Sequence, residues 1–238
     1  MKLDVIVFAA HPDDAELSIG GTIAKFSSLK LKTGIIDLTR GEMSSRGNIK
    51  LRQKEADKAG EILGIAYREN LGISDGNIEI NKKNLEKVIN VIRRLTPKIV
   101  FAPYFNDRHP DHIQASKLIK DAMFKTGLTK FKTKFNGKNQ SAYRPKKLFY
   151  YMQTYSFTPS FIIDITETFN QKFKAIKAYS SQFYDPNHKG PETFISRPEF
   201  INYLEARARY YGFEISKKYG EPFFCEEKIE MEIKNLFI

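Results

Sequence analysis

Leu3-Asp4-Val5-Ile6-Val7-Phe8-Ala9-Ala10-His11-Pro12-Asp13-Asp14-Ala15 is the stretch whose reading decides the fold. Its first part, residues 3–9, is an apolar run of strand length, and such runs are strands buried on both faces of a parallel sheet. A polar turn follows, His11-Pro12-Asp13-Asp14, and then a helix is predicted over 15–30, with Gly20-Gly21 allowing close packing. A second copy of this passage lies further along. A strand over 98–103 runs into His109-Pro110-Asp111-His112, and a helix is predicted over 111–125. Side chains at the ends of two parallel strands can converge on one point.

Working outward, 33–39 reads as a strand, 40–50 as a polar loop, 51–63 as a helix stopped by Gly64, and 66–71 as a short strand. Ser74-Asp75-Gly76-Asn77 is a turn. A helix over 82–95 carries Leu85, Val88, Ile89 and Ile92 on one stripe and ends at Thr96-Pro97. Strands are expected near 147–152 and 161–164, and helices near 167–181 and 199–218. Strands alternating with helices predict an α/β fold: a mostly parallel sheet with helices on both faces, three layers in a single domain over 1–238. Ligands of such sheets bind beyond the carboxyl ends of the strands. Both His-Pro-Asp segments lie at that edge.

The chain has 238 residues, 41% of them hydrophobic, which suits one large folded domain and argues against disorder. The start lacks the pattern of a signal peptide, and no apolar stretch nears the ~20 residues of a membrane helix. One cysteine, Cys225, leaves no internal disulfide and fits a reducing cytoplasm. Basic residues outnumber acidic ones 39 to 28, giving +11. Part of this excess is local: 122–163 contains no Asp or Glu, and 130–147 is a lysine-rich loop or hairpin around Asn136-Gly137, read as an insertion. An interleaved Phe131, Phe135 and Tyr143 would let a basic nucleic-acid-binding protein stack bases there. The chain carries no RNA- or DNA-binding motif, so nucleic acid is not the expected partner.

The chemistry concentrates in the two His-Pro-Asp segments. A catalytic zinc takes three protein ligands and leaves a position for water. His11, Asp14 and His112 offer two imidazoles and a carboxylate. Proline restrains the residue before it, so His11 and His109 both sit on stiffened backbone. Asp13 is left beside the metal as a general base and acid. His109 is left as a donor to the oxyanion of a tetrahedral intermediate, with Asp111 to fix its tautomer. Aspartate is also a common helix cap, and one copy alone would read as punctuation. Two copies, each after a buried strand and each with ligand residue types, argue for a site. The set also suits Fe(II), Co(II) or Mn(II).

Ala10-His11-Pro12-Asp13-Asp14-Ala15-Glu16 with Gly20-Gly21-Thr22, and Arg108-His109-Pro110-Asp111-His112 with Ala115-Ser116, resemble the two metal motifs of the LmbE/PIG-L zinc deacetylases. Leu38-Thr39-Arg40-Gly41-Glu42, 51–56, 159–166 and 179–183 extend the resemblance over most of 3–183. It implies a Rossmann-like fold, frequent oligomers including hexamers, His11, Asp14 and His112 as zinc ligands, Asp13 as base, and His109 as oxyanion stabiliser supported by Asp111. The segments most resemble the bacillithiol-pathway member, which removes acetyl from N-acetyl-glucosaminyl malate. That implies Arg52 and Arg108 near the malate carboxylates and Asp75 on sugar hydroxyls. The same deacetylation of another N-acetylglucosamine conjugate, or of a chitooligosaccharide, is the alternative. The tail over 220–238 and His188, in the turn-rich 185–190 loop, have no role in this expectation.

Overall fold

The structure is a computed structural model, and residues 1–186 and 190–230 are described; His188 lies outside them. A seven-stranded sheet runs in the order β3-β2-β1-β4-β7-β9-β8. Its strands are β1 (Val5–Ala9), β2 (Thr33–Asp37), β3 (Tyr67–Asn70), β4 (Ile99–Pro103), β7 (Lys147–Tyr151), β8 (Phe161–Asp164) and β9 (Gly220–Phe224). The β3, β2, β1, β4 and β7 strands are mutually parallel, and β9 is antiparallel to both its neighbours. The predicted α/β class with helices on both faces holds. The helices are α1 (Asp14–Ser28), α2 (Ile49–Leu63), α3 (Lys82–Leu95), α4 (Pro110–Lys125), α5 (Phe169–Lys177) and α6 (Glu199–Glu214).

Alternation along β1 explains the three layers. Ile6, Phe8 and Ala10 pack on one face with Val88 and Ile92 of α3 and Leu118 and Ile119 of α4. Val5, Val7 and Ala9 pack on the other with Ile19 and Ile23 of α1, Ala59 and Leu63 of α2, and Ile176 of α5. Each fully buried Ile or Phe contributes roughly 1.5–3 kcal/mol, so both faces are strongly specified. The chain leaves β1 toward β2 and β3, then returns to place β4 on β1's other side. The crevice where strand order reverses therefore opens at the ends of β1 and β4, just where His11 and His109 follow.

The expectation for the tail is corrected, and the hairpin expected around Asn136-Gly137 is found. The segment opening the tail is a sheet strand: β9 pairs with β7 and β8, burying Phe223. Its Glu221 reaches the middle of α1, where its carboxylate accepts from the amides of Gly21 (3.0 Å) and Thr22 (2.7 Å) and from Lys172 Nζ (2.6 Å). The carbonyls of Leu17 and Ser18, four residues before those amides, accept from Arg207 and Lys172. A Cβ on Gly21 would lie 2.7 Å from Ile165, so this close crossing needs glycine. The lysine-rich stretch contains a two-stranded hairpin, β5 (Lys134–Phe135) and β6 (Lys138–Asn139), turning on Asn136 and Gly137, both with positive φ. It is tied down before the turn: Arg93 of α3 donates to the carbonyls of Thr126, Leu128 and Phe131 and to the Thr133 hydroxyl.

Candidate active site

Parallel strands β1 and β4 deliver the two His-Pro-Asp segments to one buried cluster. The His11, His109 and His112 rings lie within 5.6 Å of one another, centroid to centroid. Between them stands Asp14, the first residue of α1. One of its oxygens is 3.3 Å from His11 Nδ1, the other 3.3 Å from His112 Nε2. Donor atoms of His11, Asp14 and His112 all fall within 4.8 Å of one another; His11, His109 and Asp111 form a second such trio.

An outward nitrogen of His11 and of His112 rests on a carboxylate. His11 Nε2 is 3.0 Å from Asp75 Oδ1, and His112 Nδ1 is 2.8 Å from Asp107 Oδ1. Carboxylates in that position fix the tautomer of metal-ligating histidines and raise their basicity. Asp107 is itself held by the amides of His109 and Thr154. Four carboxylates, Asp14, Asp75, Asp107 and Asp111, crowd here around His11 and His112, and a fifth, Asp13, pairs with the Arg52 guanidinium.

Charge responds accordingly. Burial works against a charged His11, yet Asp111, Asp14 and Asp75 outweigh it and hold its pKa well above the ordinary value. Burial likewise opposes charge on His112, but Asp14 and Asp107 raise it to about 9. Burial disfavours Asp14's carboxylate, and His112 and His11 still hold its pKa well below normal. Imidazoles kept protonated by surrounding carboxylates mark a site whose charge a divalent cation balances by displacing protons. The donor set, its burial and its outer carboxylates therefore fit a metal ion. Asp107→Asn is expected to weaken zinc affinity about 10- to 100-fold, read by competition with a chromophoric chelator; unchanged affinity would contradict this role.

Asp13 and His109 face the same cleft, of about 410 Å³. Asp13 has φ 122°, a strained conformation for a non-glycine residue. Arg52 supports it, donating twice to the Pro12 carbonyl (2.9 and 2.7 Å) and once to Asp13 Oδ2 (2.8 Å). Burial pushes the Asp13 pKa up to about 7 against the pull of Arg52, with Asp14 adding to the rise. His109 caps α4: its Nδ1 accepts from the Asp111 amide at 3.2 Å, which leaves the ring proton on Nε2. Burial and the neighbouring His112 and His11 lower its pKa, favouring this neutral donor form.

Three expected roles change in detail. The main chain of Asp111 orients His109, while its carboxylate accepts from the Gly76 amide and lies 3.4 Å from His11 Nε2. Asp75 is spent on His11 and on the Met43 amide. Arg52 lines the cleft but is buried and already engaged by Pro12, Asp13 and Gln182. Arg108 stays exposed at the cleft rim, over the Phe194 ring. Asp107 and Gln182 were not foreseen. Asp107 stands two residues before His109, an acid in the loop leaving a site strand, which was its one signal.

The family model PIG-L: GlcNAc-PI de-N-acetylase matches residues 6–123, the span that holds both His-Pro-Asp segments. A solved conserved protein of Thermus thermophilus is 38% identical, with TM-score 0.87, over 97% of this chain and 98% of that one. The chain belongs to the PIG-L family. Among PIG-L relatives, the diacetylchitobiose deacetylase of Thermococcus kodakarensis is 28% identical over 91% of this chain and 80% of its own length. A Bacillus anthracis protein described as a probable N-acetyl-alpha-D-glucosaminyl L-malate deacetylase is 29% identical over 50% of this chain and 58% of its own length. The matched span includes His11, Asp13, Asp14, His109, Asp111 and His112. No described helix is long and apolar enough to cross a membrane.

Proposed function

We propose that the protein is a metal-dependent N-deacetylase that hydrolyses the acetamide of an N-acetylglucosamine conjugate to acetate and a free amine. The observation that carries this reading is the convergence of His11, Asp14 and His112 in the cleft that also presents Asp13 and His109. His11, Asp14 and His112 would hold the ion, zinc by preference of the ligand set, with Fe(II) the other choice. A divalent metal supplies Lewis acidity toward water and the amide carbonyl. Asp13 takes the proton of the attacking water and passes it to the departing nitrogen. Its burial and raised pKa suit both transfers near neutral pH. Arg52 holds Asp13 in its strained backbone so that no reorientation precedes the step. His109 donates Nε2–H to the carbonyl oxygen as charge develops there. Asp75 and Asp107 orient the ligand histidines. The lone Cys225, with no possible internal disulfide partner, fits a cytoplasmic enzyme.

Two groups on the amino sugar come into question: a second sugar, as in the substrate named for one relative, or malate, as named for another. Arg52, one of the two arginines expected to meet malate, is already engaged by Asp13 and Gln182. The reaction itself is tested by following an N-acetylglucosaminide by proton NMR. Acetate and free amine are expected to appear together, to stop after dialysis against chelator, and to resume on adding zinc. Continued release in chelator, or no release from metal-loaded protein, would overturn the reading.

A further inference from the structure

Behind Arg52, a buried side-chain amide is used to its full capacity. Gln182 is 3% exposed and borders the cleft. Its Oε1 accepts from Arg52 Nη1 at 2.6 Å and from the Ser44 hydroxyl at 3.1 Å. Its Nε2 donates to the Arg46 carbonyl at 2.9 Å and to the Ser181 hydroxyl at 2.8 Å. A guanidinium only donates and a carbonyl only accepts, so these partners fix which end of the amide is oxygen. Both donors and both lone pairs are then spent within the chain.

The segment carrying Gln182 is fastened to the helix that carries Arg52. Glu55, one turn beyond Arg52 on α2, accepts from the Ser181 amide (2.8 Å) and from the Ser180 and Ser181 hydroxyls (3.1 and 2.7 Å). Buried Arg46 donates to the carbonyls of Ser181 and Phe183. Gln182 therefore meets Arg52 from a fixed frame. The guanidinium is held at both ends: Nε and Nη2 on the Pro12 carbonyl and Asp13 Oδ2, and Nη1 on Gln182. Gly41 closes beside it, where a Cβ would lie 3.3 Å from Arg52 Cζ. A neutral acceptor at the Nη1 end leaves the charge of Arg52 to Asp13, whereas a carboxylate there would compete for it.

We propose that Gln182 is a positioning residue of the deacetylation: through Arg52 it holds the Asp13 carboxylate in the orientation that takes the proton of the attacking water. This inference rests on the N-deacetylase reading and adds to it a residue whose own polar atoms are all engaged inside the chain.

The test is a double-mutant cycle on zinc-loaded protein, read by acetate release from an N-acetylglucosaminide. Gln182→Met keeps the length of the side chain and removes its hydrogen bonds. It should lower kcat about tenfold or more and leave KM near the wild-type value, because a small displacement of a reacting group is costly in the transition state. In Asp13→Asn protein, which has no proton-accepting carboxylate to position, the same substitution should change the residual kcat by less than about twofold. An equal factor in both backgrounds, or a loss carried by KM, would give Gln182 a structural or substrate-binding role instead and overturn the proposal. Nitrogen-15 NMR of the arginine side chains follows the clamp without turnover. Two separate, slowly exchanging Nη signals are expected for Arg52 in the wild type, merging in Gln182→Met. A single averaged signal in the wild type overturns the clamp even where Gln182→Met does not fold. Wild-type protein that shows the paired signals and releases no acetate would leave the clamp standing and remove the deacetylase reading; acetate release with an unchanged kcat in Gln182→Met would do the reverse.

Discussion

Asp13→Asn is expected to keep the fold and the metal and to lose about a thousandfold in kcat, within the 10²–10⁴ range of general acid–base catalysis. Asparagine fills the same volume, and its carbonyl oxygen can still accept from Arg52, so the strained peptide after Pro12 keeps its support. What it lacks is a proton-accepting oxygen. Asp13 lies next to Asp14 in sequence but pairs with Arg52, whereas Asp14 meets His11 and His112. Metal content by elemental analysis should therefore match wild type while turnover collapses. A kcat within tenfold of wild type would remove Asp13 from the proton path. A variant that also lost its metal would show that Asp13 helps to hold the ion.

The second large effect concerns stability. Lys172 and Glu221 form an ion pair that is nearly inaccessible to water, with side chains 4% and 2% exposed. Truncating one partner of a buried pair leaves the other charged and dry, which costs about 3–5 kcal/mol. Glu221→Ala would also strand the amides of Gly21 and Thr22. For a chain of this size the melting temperature should fall by on the order of 10 °C. Lys172→Met added to Glu221→Ala should recover part of the loss, because the stranded charge is then gone. Chemical denaturation of the single and double variants measures this. A loss below about 1 kcal/mol for Glu221→Ala would mean that water already reaches the pair.

Glu221 also shows where the sequence was silent. The apolar runs of β1, β2 and β4 and the two His-Pro-Asp turns are local patterns, so fold class and the residues at the cluster were readable in order. Gly220-Glu221-Pro222 carries a charge and a proline inside a strand, both signs against an interior strand. The charge is balanced by Lys172 and two α1 amides, 49 and about 200 residues away. Nothing local announces those partners. The partners of Arg52 are just as distant. Its acceptors at Pro12 and Gln182 lie 40 and 130 residues away, and without them an arginine near a site reads as a substrate fork. Asp111 differs: helix α4 begins at Pro110, which makes His109 the cap and points the Asp111 amide, rather than its carboxylate, at the ring.

The proposed hydrolysis depends on one metal ion held at the junction of the two His-Pro-Asp segments. Its most direct test is a zinc titration of metal-free protein, with acetate release from an N-acetylglucosaminide recorded at each addition. The predicted result is a rise in step with bound zinc that reaches its plateau at one ion per chain, and no such rise in His112→Ala. Acetate release before any zinc is added, or an unaltered titration in His112→Ala, would contradict it.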